Sequence, residues 1–322
     1  MSRGTQSSII RVHDPADVPA GFNPHRADDR ALERAGYLPR PDSALSPHEY
    51  ALWDSIAKRN PSYTHTKPTV VEPRIGLYEA RNWSGGILPV LPTVYNPSAT
   101  RVLDQKDPFQ GVVGSWIVPN PHPQKVFRNG TLINRDGDYW VYTWVGLDGW
   151  ESVETLKIGV AAGVLVEAGR IVKKESYAAV FYRRKADDSL QTLKLEGFDA
   201  EPGDLITASV YGVGESNANN YWIANQGSNE YASGQLPDNS GLTLQGKSAE
   251  WLAAGLGPLD SQGQSFPNFG ATVFIEGLAR QQSGGVQGIE RALLTNALDL
   301  DSAAERGHNI IIRTTAFLQA QV

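Results

Sequence analysis

The chain has 322 residues, enough for one large domain with an extension or for two domains. Its 40% hydrophobic and 20% charged residues are ordinary for a globular protein, and 8 Trp, 12 Tyr, 9 Phe, 32 Gly and 20 Pro favour strands joined by turns over helical bundles. A net charge of −6 without a long basic run excludes a nucleic-acid footprint, zero cysteines excludes disulfides and thiolate chemistry, and six scattered His leave no pair at zinc-ligand spacing.

Residues 1–20 are polar and broken by Pro15 and Pro19, a loosely held arm. This arm lacks the apolar core and small-residue cleavage site of an export signal, and no later stretch reaches the ~20 apolar residues of a membrane span. The expectation is no membrane partner, in a cytoplasmic protein or one exported without a leader. Asp28 or Asp29 can then cap a short helix that stops near Gly36 and is closed off by Pro39 and Pro41. Ser46, Pro47 and Glu49 read as a capping box with Pro at the first helical position, which starts a helix to about Arg59. Its apolar side carries Tyr50, Leu52, Trp53 and Ile56. Two short helices cannot bury these groups alone, so the module must pack on the remainder of the chain, as a brace or as a cover over a cleft. Residues 60–80, with Pro61, Pro68 and Pro73, read as an extended linker, so residues 1–80 form an N-terminal extension.

From Arg81 the pattern changes to short alternating apolar runs separated by Gly, Asn, Asp and Pro. Val112–Val118, Tyr139–Val145, Leu156–Val166, Tyr177–Arg183, Leu205–Tyr211, Tyr221–Ala224, Ala271–Ile275 and Ile310–Leu318 are the predicted strands. That rhythm, without long helices between, predicts an all-β antiparallel sandwich or barrel over residues 81–322. The polar, aromatic segment 215–240 reads as a hairpin with mobile connections.

The stretch Trp140–Val160 is where a working surface is expected. Trp140, Tyr142 and Trp144 alternate with Val141, Thr143 and Val145, so both faces of this strand are apolar and it lies inside the molecule. Gly146 and Gly149 bracket Asp148 at the reversal after this strand, and Glu151, Glu154 and Lys157 lead into the next strand. Asp148 on its own reads as a turn residue bonding nearby backbone, Glu151 and Glu154 as solvated, and Trp116, Trp140, Tyr142 and Trp222 as sandwich core. Gly212-Val213-Gly214 lacks the helix and third glycine of a dinucleotide fingerprint, and no cofactor or metal is expected.

Several pieces, in order, resemble the glutamic peptidases, or eqolisins (peptidase G1). They are Asn82-Trp83-Ser84-Gly85-Gly86, Gly114-Ser115-Trp116-Ile117-Val118-Pro119, Trp144-Val145-Gly146-Leu147-Asp148-Gly149 and Ile158-Gly159-Val160. Pro202-Gly203-Asp204, Ser248-Ala249-Glu250-Trp251 and Asn268-Phe269-Gly270 complete the set. The resemblance implies a concanavalin-like (lectin-like) sandwich with a peptide cleft. It also implies a Glu that activates water and then protonates the leaving nitrogen, assisted by a Gln that stabilises the oxyanion. The Glu corresponds to Glu250, but the Gln position falls on Lys157. An acid that the family carries on a later Trp-rich strand corresponds to Tyr182 by the least-gapped match. Trp83, Trp144, Asp148 and Tyr182 are thereby expected to bind substrate.

An ammonium opposite a carboxylate favours the ionised form of both, which weakens the acid half of that mechanism yet leaves a competent base and an oxyanion donor. The expectation is a divergent endopeptidase homologue whose activity is weak, altered toward neutral pH, or absent. The alternative is a non-catalytic lectin-like module that binds carbohydrate or protein on the same aromatic face.

Overall fold

The computed structural model describes residues 21–34, 40, 42–44, 47–58, 64–65, 67–71, 83–90, 107–150, 152–187, 190–212, 219–228, 230–236, 241–256, 259–260, 263–264, 267–295, 300–306 and 309–314. The N-terminal arm, Glu151 and the chain between 72 and 82 lie outside them. Two sheets of nine and eight strands make the body, antiparallel except for a two-residue parallel pairing of Thr64–His65 with Glu230–Tyr231.

In the eight-stranded sheet the strand Gly137–Asp148 lies between Ser248–Leu256 and Thr155–Glu167, and Arg170–Arg183 follows on the far side of the latter. Trp83–Pro89 pairs with the outer edge of Ser248–Leu256. In the nine-stranded sheet Phe109–Ile117 is central, between Leu205–Tyr211 and Ala271–Gln281. Each predicted strand falls within or overlaps one of these elements. The hairpin of Lys125–Arg128 with Thr131–Asn134, and the strand Leu300–Arg306 that pairs with Asn309–Thr314, were not expected, because neither shows a sustained apolar alternation.

Alternation decides which face each side chain occupies. Val141, Val145 and Leu147 join Leu156, Ile158, Val160, Val180, Trp116 and Ile206 in the core between the sheets. Trp140, Tyr142 and Trp144 point the other way, into a second apolar cluster on the outer face of the eight-stranded sheet with Phe181 and Leu252. Trp116 is thus core, whereas Trp140 and Tyr142 belong to the outer cluster.

Trp251 anchors the two sheets. Its indole is fully buried and donates from Nε1 to the Val113 carbonyl of the opposite sheet at 2.9 Å. A Cβ at Gly114 would stand 2.7 Å from this ring and one at Gly277 would stand 2.6 Å from it, so both positions need glycine to admit the indole.

The linker reading of residues 60–80 needs correction. Lys67–Val71 is the edge strand beside Gln191–Glu196 in the eight-stranded sheet. Pro68 is tolerated there because an edge strand has one side unpaired. The helices Asp29–Arg34 and Pro47–Lys58 precede it, the first with the Asp28 carboxylate accepting from the Ala31 N–H at 2.8 Å. Leu32, Trp53 and Ala57 pack on Val113, Tyr211 and Leu278, on the outer face of the nine-stranded sheet.

Candidate active-site cleft

One row of residues runs across the eight-stranded sheet: Ile87, Glu250, Gly146, Lys157 and Phe181 are successive cross-strand partners. Gly146 is the gap that joins its neighbours. With no side chain between them, Lys157 leans over the central strand, and a Cβ at Gly146 would lie 2.8 Å from Lys157 Cγ. Lys157 Nζ stands 3.0 Å from Glu250 Oε2, with side-chain exposures of 11% and 2%. The approach is close but off the hydrogen-bonding angle, because Oε2 has no aligned donor. The pair is held by charge and by the ring of Trp144, whose centroid is 4.7 Å from the ammonium.

Oε1, the other carboxylate oxygen, faces the Ser248 hydroxyl at 3.4 Å. Above the pair the backbone reverses at Asp148 and Gly149, both left-handed at φ 59° and 108°. A Cβ at Gly149 would stand 3.1 Å from Oε1 and 3.2 Å from Nζ, so bare backbone covers both charged groups at that side.

A cleft of about 220 Å³ opens over this row. Lys157 and Glu250 line it, with Trp83 and Trp144 as expected from the sequence. Tyr142, Trp150, Phe181 and Arg183 also line it and were not anticipated as site residues. Trp150 stands edge-on to Trp83 with centroids 5.7 Å apart. The alternation of Tyr142 with Trp144 and of Phe181 with Arg183 was the signal that could have found three of them.

Two expected substrate-binding residues are elsewhere. Tyr182 is buried in the core between the sheets, opposite Leu156, and its neighbour Phe181 takes the place opposite Lys157. Neighbouring residues of a strand face opposite ways, so the pairing register decides which of the two meets the cleft. Burial holds the Tyr182 phenol above its ordinary value. Asp148 is fully buried and does not line the cleft. Its carboxylate accepts from the backbone N–H groups of Gln245 at 2.6 Å, Gly246 at 3.0 Å and Lys247 at 2.6 Å, tying the turn to the segment that leads into the Glu250 strand. Burial raises its pKa above the ordinary 3.8; the three donors oppose that rise and the nearby Glu250 charge adds to it. Glu154, expected in solvent, is buried and accepts from the Thr243 N–H at 3.2 Å. Among the described residues no group of three or more His, Asp or Glu could hold a metal ion, and no helix is long and apolar enough to cross a membrane.

Among solved structures, scytalido-glutamic peptidase with a transition-state analogue inhibitor aligns at a TM-score of 0.49 and 16% identity, over 73% of this chain and 98% of its own. SCP-B, an eqolisin family peptidase in complex with the tripeptide Ala-Ile-His, aligns at 0.46 and 16% over the same shares. Aspergilloglutamic peptidase from Aspergillus niger aligns at 0.41 and 18%, over 55% of this chain and 99% of its own. A comparison with curated proteins finds no match. The model of the Peptidase A4 family matches residues 99–311, which include the Trp144 strand, Lys157 and Glu250. With that match spanning well over half of its length, the chain belongs to the Peptidase A4 family, the glutamic peptidases or eqolisins.

Proposed function

We propose that the chain is a divergent glutamic endopeptidase homologue that takes an extended polypeptide into the cleft, with weak activity in acid and an optimum moved toward neutral pH. One observation carries this reading: an ammonium stands 3.0 Å from the carboxylate in an aromatic cleft. A peptide-based transition-state analogue bound to scytalido-glutamic peptidase and the tripeptide bound to SCP-B favour the same class of ligand here.

As an ion pair, Glu250 enters the reaction as a carboxylate and Lys157 as an ammonium. Water attacks the scissile carbonyl while Glu250 takes its proton, and the Lys157 ammonium donates to the developing oxyanion as an amide would. The proton on Glu250 then passes to the leaving nitrogen as the C–N bond breaks. Beside an ammonium the carboxylate can serve as the base without acid conditions, which is the reason this reading places the activity toward neutral pH.

The test is fragment analysis of a denatured protein substrate across acid and neutral pH. Cleavage that is strongest near neutrality and lost in Glu250→Gln supports the proposal. Lys157→Gln is expected to raise acid-pH cleavage. No cleavage at any pH by the wild type or by Lys157→Gln would sink the hydrolase reading in favour of a binding module for peptide or carbohydrate on the same face.

A further inference from the structure

We propose that the hairpin 125–134 and the neighbouring residues 170–174 dock this protein on an anionic lipid surface, with apolar side chains at the headgroup boundary and basic ones on the lipid phosphates and carboxylates. The expectation of no membrane partner rests on the absence of an apolar span, which a contact made by exposed side chains does not need.

Among the described residues six large apolar side chains are exposed, and five of them, Val126, Phe127, Leu132, Ile171 and Val172, belong to these two stretches. Phe127 is the most exposed, at 64%. The hairpin turns at Asn129 and Gly130, both left-handed at φ 50° and 74°, as a two-residue hairpin turn requires. Its base is tied to the turn before Arg170. The Asn134 amide donates to the Gly169 carbonyl at 3.1 Å, and the Gly169 N–H donates to the Asp136 carboxylate at 2.7 Å. A Cβ at Gly169 would stand 3.7 Å from Ile133 Cβ. Ile171 and Val172 follow that turn directly, so both exposed stretches sit at one end of the eight-stranded sheet.

Phe127 is opposite Leu132 on one face of the hairpin, and Val126 is opposite Ile133 on the other. A partner protein laid on the hairpin would cover one face, whereas a lipid boundary surrounds it. The order of residues fits that boundary: Lys125-Val126-Phe127-Arg128 and Arg170-Ile171-Val172-Lys173-Lys174 each set an apolar pair between basic residues. Apolar groups sink toward the acyl chains while long cationic side chains reach back to the headgroups. Residues 124–138 and 165–175 hold six basic side chains and four acidic ones, Asp136, Asp138, Glu167 and Glu175, in a chain whose net charge is −6. Three of those acids are engaged within the protein: Asp136 with the Gly169 N–H, Asp138 with the Trp140 indole at 2.8 Å and Glu175 with Lys173 at 2.5 Å. The local surplus is therefore positive and suits an anionic surface. Gly137 pairs at this end of the central strand and Gly146 beside the ion pair, about 30 Å away along the strand, so docking here leaves the cleft open.

The test is sedimentation of the full chain with phosphatidylcholine vesicles, with and without phosphatidylserine. Binding should be about tenfold stronger or more with phosphatidylserine present, and should weaken as salt is raised. Phe127→Ser should lower it about tenfold, because one aromatic side chain no longer enters the boundary. Lys125→Glu combined with Arg128→Glu should abolish the preference for phosphatidylserine. Val153→Ser, at the sixth exposed apolar residue and near the opposite end of the sheet, should leave binding unchanged. All these side chains are exposed, and unchanged urea unfolding of each variant separates a lost contact from a lost fold. Failure to sediment with either vesicle overturns the proposal, as does binding indifferent to phosphatidylserine and to Phe127→Ser. A dimer in solution that Phe127→Ser converts to monomer also overturns it and assigns this end to a second copy of the chain.

Discussion

Asp148 binds backbone almost a hundred residues away in the chain. Three backbone N–H groups from residues 245–247 converge on one carboxylate, so the side chain fixes where the Glu250 strand begins. Asparagine has the same shape but one acceptor oxygen, and its NH₂ would face a donor. Asp148→Asn should cost about 1–3 kcal/mol in urea unfolding, the usual penalty for a buried donor left unmatched. The pH dependence has a definite sign. Because burial raises the folded-state pKa, the contribution of this group is fully present below the ordinary 3.8 and is lost as pH rises through the folded value. The stability advantage of the wild type over Asp148→Asn should therefore be larger in acid, below that ordinary value, than at neutral pH. An advantage that grows toward neutrality would show that the three donors outweigh burial. None of this was legible from the local sequence, where an Asp between glycines reads as a turn residue, because its partners arrive from a distant part of the chain. Lys157 and Glu250 were legible as a pair only through the family resemblance, for the same reason.

At the scale of the strand, face was readable where alternation was strong and ambiguous where both faces are apolar. Trp140–Val145 sorted correctly into two faces because aromatic and β-branched residues alternate. In Tyr177–Arg183 every position is apolar or amphipathic, so composition could not choose between Phe181 and Tyr182; the pairing register with Thr155–Glu167 does. Glycines show the same limit. Gly114 and Gly277 look like ordinary strand glycines in the sequence, yet each makes room for the Trp251 indole. Gly114→Ala should lower stability by about 1–3 kcal/mol through overpacking. Combining it with Trp251→Phe, which shrinks the ring, should cost less than the sum of the two single changes. Additive losses in this double-mutant cycle would mean that the glycine is needed for some reason other than the indole.

For the whole molecule, the sandwich was legible because eight apolar runs with turn residues between them leave few other architectures, whereas the place of the N-terminal helices was not. Amphipathic helices report that they must be covered, not by what. The structure sets them against Val113, Tyr211 and Leu278, on the far side of the sandwich from the cleft, so the helical segment braces the nine-stranded sheet and does not cover the site. Trp53 is the centre of that contact at 2% exposure, with His25 edge-on at 5.4 Å and the Arg40 guanidinium 5.8 Å from its ring. The helix also carries Asp54 between Lys58 and His25, at 2.5 and 2.6 Å; hydrogen bonds from Lys58 first and His25 second hold its carboxyl below the ordinary value. That stability is present above the unfolded value and lost as pH falls through the folded one, the opposite sign to Asp148. Trp53→Ala should lower unfolding free energy by roughly 3–5 kcal/mol, as for a large aromatic removed from a core. Because the two faces are separated by both sheets, the folded fraction of that variant should bind peptide in the cleft with unchanged affinity. Tighter binding or faster cleavage in Trp53→Ala, measured at a temperature where it stays folded, would instead mean that the segment restrains the cleft through the sheets.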